Sequence, residues 1–123
     1  MNQKTQRIVW VVLLILAALW MATSGIMKFM PNAEMIDSFA RWGHSETFMM
    51  MIGAFEIAGA IGLFIPKLRK WAILGLLLIM AGAIFTHITA GEYHLLGGAA
   101  MAIVLLALVF LLQKPKEEPT TKD

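Results

Sequence analysis

The sequence has 123 residues, of which 59% are hydrophobic and only 15% are charged, and its formal net charge is +2. Soluble domains carry roughly 25% charged residues, so this composition excludes an ordinary soluble domain and indicates one all-α membrane domain. The chain has no cysteine, which excludes a disulfide, a thiol relay and a thiolate ligand for a metal.

The first predicted element is a membrane span over residues 8–29, which follows a short basic segment, residues 1–7. A cleaved secretory signal is the alternative, with Lys4 and Arg7 as its basic region and Ala22–Ser24 as a loose cleavage site. The apolar stretch is longer than that of a typical signal, so a retained span is the preferred interpretation.

A short amphipathic helix over residues 32–43 is predicted to follow and to lie on the membrane surface. Pro31 breaks the preceding helix, and Asn32 is suited to cap the new one. Apolar and charged residues alternate at helical spacing, and Trp42 is placed to anchor the helix at the interface. Gly43 is expected to stop it.

Three further spans are predicted over residues 47–65, 71–89 and 95–112. Ser45 is suited to cap the second span. A tight basic loop over residues 67–70 is expected to join the second span to the third. Residues 113–123 are charged, contain two prolines and are predicted to form a disordered tail.

The distribution of basic residues predicts the topology. With both termini and the loop over residues 67–70 on one side, that side holds eight Lys and Arg residues, and the other holds only Lys28 and Arg41. The positive-inside rule then places both termini in the cytoplasm. Basic residues that flank apolar spans favour membrane lipid as a partner and argue against nucleic acid. The expected fold is a four-transmembrane-helix antiparallel bundle with an interfacial helix between its first two spans.

Glu56 lies in the middle of the second predicted span, where a carboxylate that faced lipid would cost several kcal/mol. It shares a helix face with the small residues Gly53, Gly59 and Ala60, which let a neighbouring helix approach closely. Glu56 is therefore expected to point among the helices. Two interpretations stay open: a neutral carboxyl that only bonds another helix, or a functional group.

The remaining intramembrane polar residues are expected to line a cavity in the outer half of the bundle. They are Ser24, Lys28, Thr86 and His87. Each has a structural alternative, because lysine can snorkel to the headgroups, hydroxyls can bond their own backbone, and a histidine at a helix end can be a satisfied polar residue. Trp20 is interpreted as core packing, and residues 49–51, all methionine, as lipid-facing.

No metal site is predicted, because no pair among Glu56, His87 and His94 has the spacing to bind a metal from one helix. Nucleophile motifs and glycine-rich phosphate loops are absent from the sequence. The chain is therefore not expected to be an enzyme on its own.

Several motifs occur in the order found in a known family: Gly25-Ile26-Met27-Lys28-Phe29, Arg41-Trp42-Gly43, residues 52–60, residues 63–66, residues 80–83 and Thr86-His87. On these motifs, residues 8–112 resemble the DoxX-like family of small bacterial membrane proteins. The resemblance implies a four-helix bundle in the bacterial cytoplasmic (inner) membrane. It also maps the family's recurrent polar positions onto Lys28, Arg41, Glu56 and His87. Similar members often have a proline shortly after the glycine, whereas His44 follows Gly43 here.

The resemblance further implies a membrane subunit that supports quinone-linked redox or oxidative-stress chemistry. Glu56 and His87 would bind a quinol, Lys28 would stabilise charge, and a protein partner would supply the electrons. Quinone is the one cofactor considered. Two alternatives stay open: a binding or transport module for a small amphipathic ligand or a lipid, and a structural assembly subunit that docks partners or a second copy of itself.

Overall fold

The computed structural model describes residues 2–113 and is helical without strands over that range. Its helices are α1 (Gln3–Phe29), α2 (Ala33–Arg41), α3 (Glu46–Gly62), α4 (Pro66–Thr89) and α5 (Leu96–Leu111), with a 3-10 turn at Tyr93–Leu95 before α5. The tail predicted for residues 113–123, including Lys114, Lys116 and Lys122, lies outside the described residues apart from Gln113.

Within residues 2–113, three helical segments are long and apolar enough to cross a membrane: α1, α4, and the segment Tyr93–Leu111 that contains α5. α3 is shorter, with 17 residues. At a rise of about 1.5 Å per residue it spans about 25 Å, slightly less than the roughly 30 Å of a bilayer's hydrocarbon core.

Four of the helices follow one another in a closed ring in the order α1, α3, α4, α5. Each packs against its two neighbours, and within residues 2–113 no close backbone approach joins α1 to α4 or α3 to α5. We call this arrangement the helix ring. Its interior is filled by small and aliphatic side chains, among them Ala17, Met21, Leu63, Leu76, Leu106 and Val109.

α1 and α3 cross in direct backbone contact at two glycines. A Cβ added to Gly25 would lie 2.6 Å from the carbonyl oxygen of Gly53, and a Cβ on Gly53 would lie 2.8 Å from that of Gly25. Six residues further along α3, a Cβ on Gly59 would lie 2.6 Å from Leu76 of α4. The prediction that small residues on the face of Glu56 admit neighbouring helices is confirmed.

The two predicted N-caps are confirmed. Oδ1 of Asn32 accepts a hydrogen bond from the N–H of Met35 at 2.8 Å, which starts α2. Oγ of Ser45 accepts one from the N–H of Phe48 at 3.1 Å, which starts α3. Each cap satisfies a backbone donor that has no partner within its helix.

α2 ends in a Schellman motif, as expected from its glycine. Gly43 adopts a φ of 83°, which glycine tolerates without strain. The N–H of His44 then donates to the carbonyl of Phe39 at 2.8 Å. Because proline has no N–H, it could not make this bond, so the residue after Gly43 has a definite role in the turn.

The prediction of a basic loop over residues 67–70 is wrong, because these residues belong to the first turn of α4. The helix begins at Pro66, whose fixed φ and missing N–H suit the first helical position. Arg69 turns back toward α3, and its Nε donates to the carbonyl of Leu63 at 2.6 Å.

The same arginine takes part in a contact that joins three helices at one end of the ring. Its guanidinium carbon lies 4.8 Å from the ring centroid of Trp10 on α1. Nε1 of Trp10 donates to the carbonyl of Val109 on α5 at 2.9 Å. The ends of α1, α4 and α5 are thereby held together by polar contacts that the sequence analysis did not predict.

Candidate functional site

A buried ion pair links α1 to α3 beside their glycine crossing. Nζ of Lys28 lies 2.8 Å from Oε1 of Glu56. Oγ of Ser24 donates to Oε2 of Glu56 at 2.8 Å and accepts a hydrogen bond from Nζ of Lys28 at 2.9 Å. Glu56 has no exposed surface, whereas the side chain of Lys28 remains 14% exposed. The expectation that Glu56 points among the helices is confirmed.

Helix geometry explains why these three side chains meet. Ser24 and Lys28 are four residues apart and therefore lie on the same face of α1. Glu56 lies one turn after Gly53, and the backbone contact at the glycines brings α3 within reach of both. The Glu56 carboxyl thereby faces the ammonium of Lys28 and the hydroxyl of Ser24.

A groove of about 460 Å³ runs along α1 and is lined by the partners of Glu56. Its apolar wall consists of Leu16, Leu19, Trp20 and Met27 from α1 and Met35 from α2. Thr23, Ser24 and Lys28 supply hydroxyl and ammonium groups toward the C-terminal end of α1. The groove therefore combines a long apolar wall with a short polar region.

Trp20 belongs to this groove and not to the helix interior. Its side chain is 43% exposed, so the interpretation as core packing is wrong. The opposite error applies to Met49, which was expected to face lipid and is fully buried. In a membrane both the interior and the exterior of a helix ring are apolar, so hydrophobicity alone does not distinguish the two sides.

A second polar cluster ties α2 to the turn that follows α4. Nε1 of Trp42 donates to Oε1 of Glu92 at 2.6 Å, and Nη1 of Arg41 lies 3.3 Å from Oε2. Nδ1 of His87 lies 3.9 Å from Oε1, and the Trp42 and His87 rings meet edge to face with centroids 5.3 Å apart. We call these four residues the Glu92 cluster.

Glu92 is held at this position by a second Schellman motif. Gly91 has a φ of 72°, and the N–H of Glu92 donates to the carbonyl of His87 at 2.8 Å. The hydrogen bond from Trp42 holds the pKa of the Glu92 carboxyl below its usual value. Burial opposes this effect, and the charge of Arg41 reinforces it. Glu92 is thus a carboxylate poised to hold α2 in place.

Sequence reasoning missed Glu92 because it lies in a short turn and belongs to no recognised motif. One signal was available: a carboxylate in a short turn between apolar helices needs a basic or hydrogen-bond-donating partner if it is buried. The partner residues Arg41 and Trp42 sit at a helix end. Their proximity to Glu92 depends on the packing of α2, which the sequence pattern does not specify.

The structure divides the predicted site residues between the two clusters. Ser24, Lys28 and Glu56 lie together, whereas Arg41 and His87 belong to the Glu92 cluster. Within residues 2–113, no hydrogen bond or ion pair joins one cluster to the other, and no bond is formed by the hydroxyl of Thr86. In the same range, no three His, Asp or Glu side chains are placed to hold a metal ion.

Comparison with known proteins gives one family. The model of the DoxX-like family matches residues 12–112. No curated protein and no solved structure gives a significant match. The matched range covers most of the chain and includes both polar clusters and all residues that line the groove.

Proposed function

The chain belongs to the DoxX-like family, and on that premise we propose that it is a four-span membrane protein whose groove binds a single-chain amphiphile. The amphiphile comes from the surrounding membrane and lies along α1. One observation carries the proposal: an open apolar groove leads to a lysine that is itself held by a buried carboxylate. Binding sites of this kind pair an apolar wall with a few well-placed polar groups.

In the proposed arrangement, α3 is the fourth span and the helix ring is an antiparallel bundle in the cytoplasmic membrane of a bacterium. The positive-inside rule places both termini in the cytoplasm. The contact of Trp10, Arg69 and Val109 then lies at the cytoplasmic end, and the Glu92 cluster lies at the outer end. The short length of α3 is compatible with a span because flanking residues and local thinning of the bilayer accommodate small mismatches.

Lys28 is the residue expected to contact the head of the amphiphile. Its side chain lines the groove and remains partly exposed, whereas Glu56 is completely covered. Glu56 and Ser24 therefore act by positioning Lys28. The acyl or isoprenoid chain would lie against Trp20 and Leu16.

Support of quinone-linked redox chemistry is the second candidate. A quinone is an amphiphile whose carbonyl oxygens accept hydrogen bonds, and the ammonium of Lys28 is a suitable donor. His87, the other residue expected to handle a quinol, belongs to the Glu92 cluster instead. The candidate therefore relies on Lys28 and Glu56, and electrons would come from a protein partner.

Photolabelling in lipid vesicles tests the proposed site. We expect an alkyl amphiphile that carries a diazirine to label the groove residues in a saturable manner, and unlabelled amphiphile to displace it. Thr23→Trp should block the groove and abolish the saturable component. Leu78→Trp, on a side chain of α4 that is 66% exposed and does not line the groove, is the matched control. Labelling that is spread evenly over exposed side chains and resists competition would refute the proposal.

A further inference from the structure

We propose that the groove selects amphiphiles with a neutral, hydrogen-bond-accepting head over amphiphiles with an acidic head. The inference rests on the proposed function and adds the chemical class of the ligand. It depends on the pairing between Lys28 and Glu56, which determines what the groove offers to a head group.

The charges at the groove disfavour an acidic head. Among the described residues that line the groove, Lys28 alone is charged. Its ammonium already faces the Glu56 carboxylate at 2.8 Å, so the pair has no net charge. Glu56 has no exposed surface and has no route to solvent without a change in helix packing. An anionic head that approached Lys28 would therefore also meet the field of Glu56, which is strong where water is excluded.

Lys28 has an N–H group left for a neutral acceptor. An ammonium has three N–H groups. Nζ donates to Oγ of Ser24 at 2.9 Å, whereas its 2.8 Å contact with Oε1 of Glu56 is an ion pair without hydrogen-bond geometry. The carbonyl of Ser24, at 3.4 Å, is a weak third partner. One N–H is therefore available to a ligand, and a ketone, ester or ether oxygen accepts it with no change of charge.

An acidic amphiphile that binds as an anion keeps the net charge of the site at zero only if its proton moves to Glu56. The carboxylic acid of the ligand would transfer its proton to Glu56, and the resulting carboxylate would pair with Lys28. Net charge is conserved, but Glu56 changes from a carboxylate with two partners, Lys28 and Ser24, to a neutral acid. Acids should therefore bind more weakly than esters of the same chain length.

Competition against the diazirine probe tests this selectivity. The competitors are a long-chain methyl ester and the free acid of the same chain, in vesicles of zwitterionic phospholipid at one neutral pH. For the wild-type protein we expect the ester to displace the probe at a mole fraction on the order of tenfold lower than the acid, equivalent to about 1.4 kcal/mol. In Glu56→Gln, the ammonium of Lys28 lacks its counter-ion and should attract the ionised acid. We therefore expect the acid to displace the probe at a lower mole fraction than the ester.

A folding defect in Glu56→Gln would also change how the competitors displace the probe, so two further variants serve as controls. Glu46→Gln removes an exposed carboxylate of α3 outside the groove and should leave the ester preference unchanged. The double variant Lys28→Gln/Glu56→Gln removes the ammonium as well, and should therefore lose the preference for the acid that we expect in Glu56→Gln. Equal displacement of the probe by ester and acid in the wild-type protein would overturn this inference but leave the site itself intact. Failure of both competitors would overturn the site and the inference together.

Discussion

The ammonium nitrogen of Lys28 lies 2.8 Å from Oε1 of Glu56, a side chain with no exposed surface. Each charge satisfies the other in a region that excludes water, and Ser24 completes the coordination of the carboxylate. The free energy of folding therefore depends on the pair as a unit: removal of one member leaves an uncompensated charge.

The first prediction concerns this dependence. Lys28→Met should destabilise the protein by about 3–5 kcal/mol, because Glu56 loses its counter-ion. The double variant Lys28→Met/Glu56→Leu should recover most of the loss, since a buried ion pair can be replaced by apolar residues at little net cost. Thermal unfolding in detergent micelles measures both. A double variant as unstable as the single variant would show that the unpaired charge is not the cause.

The second prediction concerns the crossing of α1 and α3. Gly25→Ala would place a methyl group 2.6 Å from the backbone oxygen of Gly53, where no side chain can move aside. We expect a loss of about 1–3 kcal/mol in the free energy of unfolding. Gly75→Ala is the matched control, because nothing lies within 4 Å of its added Cβ. In the control, the better helix propensity of alanine should raise stability slightly.

The third prediction concerns the pH dependence of the Glu92 cluster. The folded-state pKa of Glu92 is lowered, chiefly by the hydrogen bond from Trp42. Its stabilising contribution is therefore fully present above the ordinary glutamate pKa of about 4.3 and is lost as pH falls through the lower folded value. Thermal unfolding of the wild-type protein should show this acid-side loss, and Glu92→Gln should lack that component.

A control separates Glu92 from other carboxylates of the same region. Asp37→Asn changes an exposed carboxylate on α2 that forms no ion pair within residues 2–113, and its pH profile should follow that of the wild-type protein. Trp42→Phe should resemble Glu92→Gln, because it removes the principal cause of the lowered pKa. If both Glu92→Gln and Trp42→Phe lost stability at low pH as the wild-type protein does, this loss could not be attributed to Glu92.

The fourth prediction concerns the turn between α2 and α3. His44→Pro removes the N–H that bonds to the carbonyl of Phe39 and should destabilise the protein by about 1–3 kcal/mol. His44→Ala keeps this N–H. Both variants lose the stacking of the His44 ring on Phe48, whose centroids are 4.4 Å apart. The difference between their melting temperatures therefore measures the lost backbone bond together with the conformational restriction that proline imposes on this turn. Equal melting temperatures would assign the effect to the ring.

Local signals in the sequence were sufficient for most helix boundaries. Asn32 and Ser45 cap their helices as predicted. A side-chain oxygen at the N-cap accepts a bond from a backbone N–H that has no partner within the helix, whatever the helix packs against. The face shared by Glu56, Gly53 and Gly59 was also predictable, since it follows from the helical repeat alone. The boundary at Pro66 was misassigned because proline both ends one helix and suits the first turn of the next.

The rotation of each helix about its axis, and the helix against which each face packs, could not be predicted from local signals. The helical repeat states which residues share a face, but it does not state which neighbour that face meets. Lys28 could therefore be expected either to snorkel or to enter a cavity, and only the Gly25–Gly53 contact brings it to Glu56. For the same reason, His87 was grouped with Glu56 although its nearest acidic partner is Glu92.

The hydrogen bond from Trp10 to the carbonyl of Val109 joins residues 99 positions apart, near opposite ends of the described chain. Chains are synthesised from the N-terminus, so Trp10 exists long before its acceptor does. The indole has its acceptor only once α5 has been synthesised, after α3 and α4. With Trp20, Trp42 and Trp71 replaced by phenylalanine, the fluorescence of Trp10 should therefore distinguish a completed molecule from one arrested before its final helix.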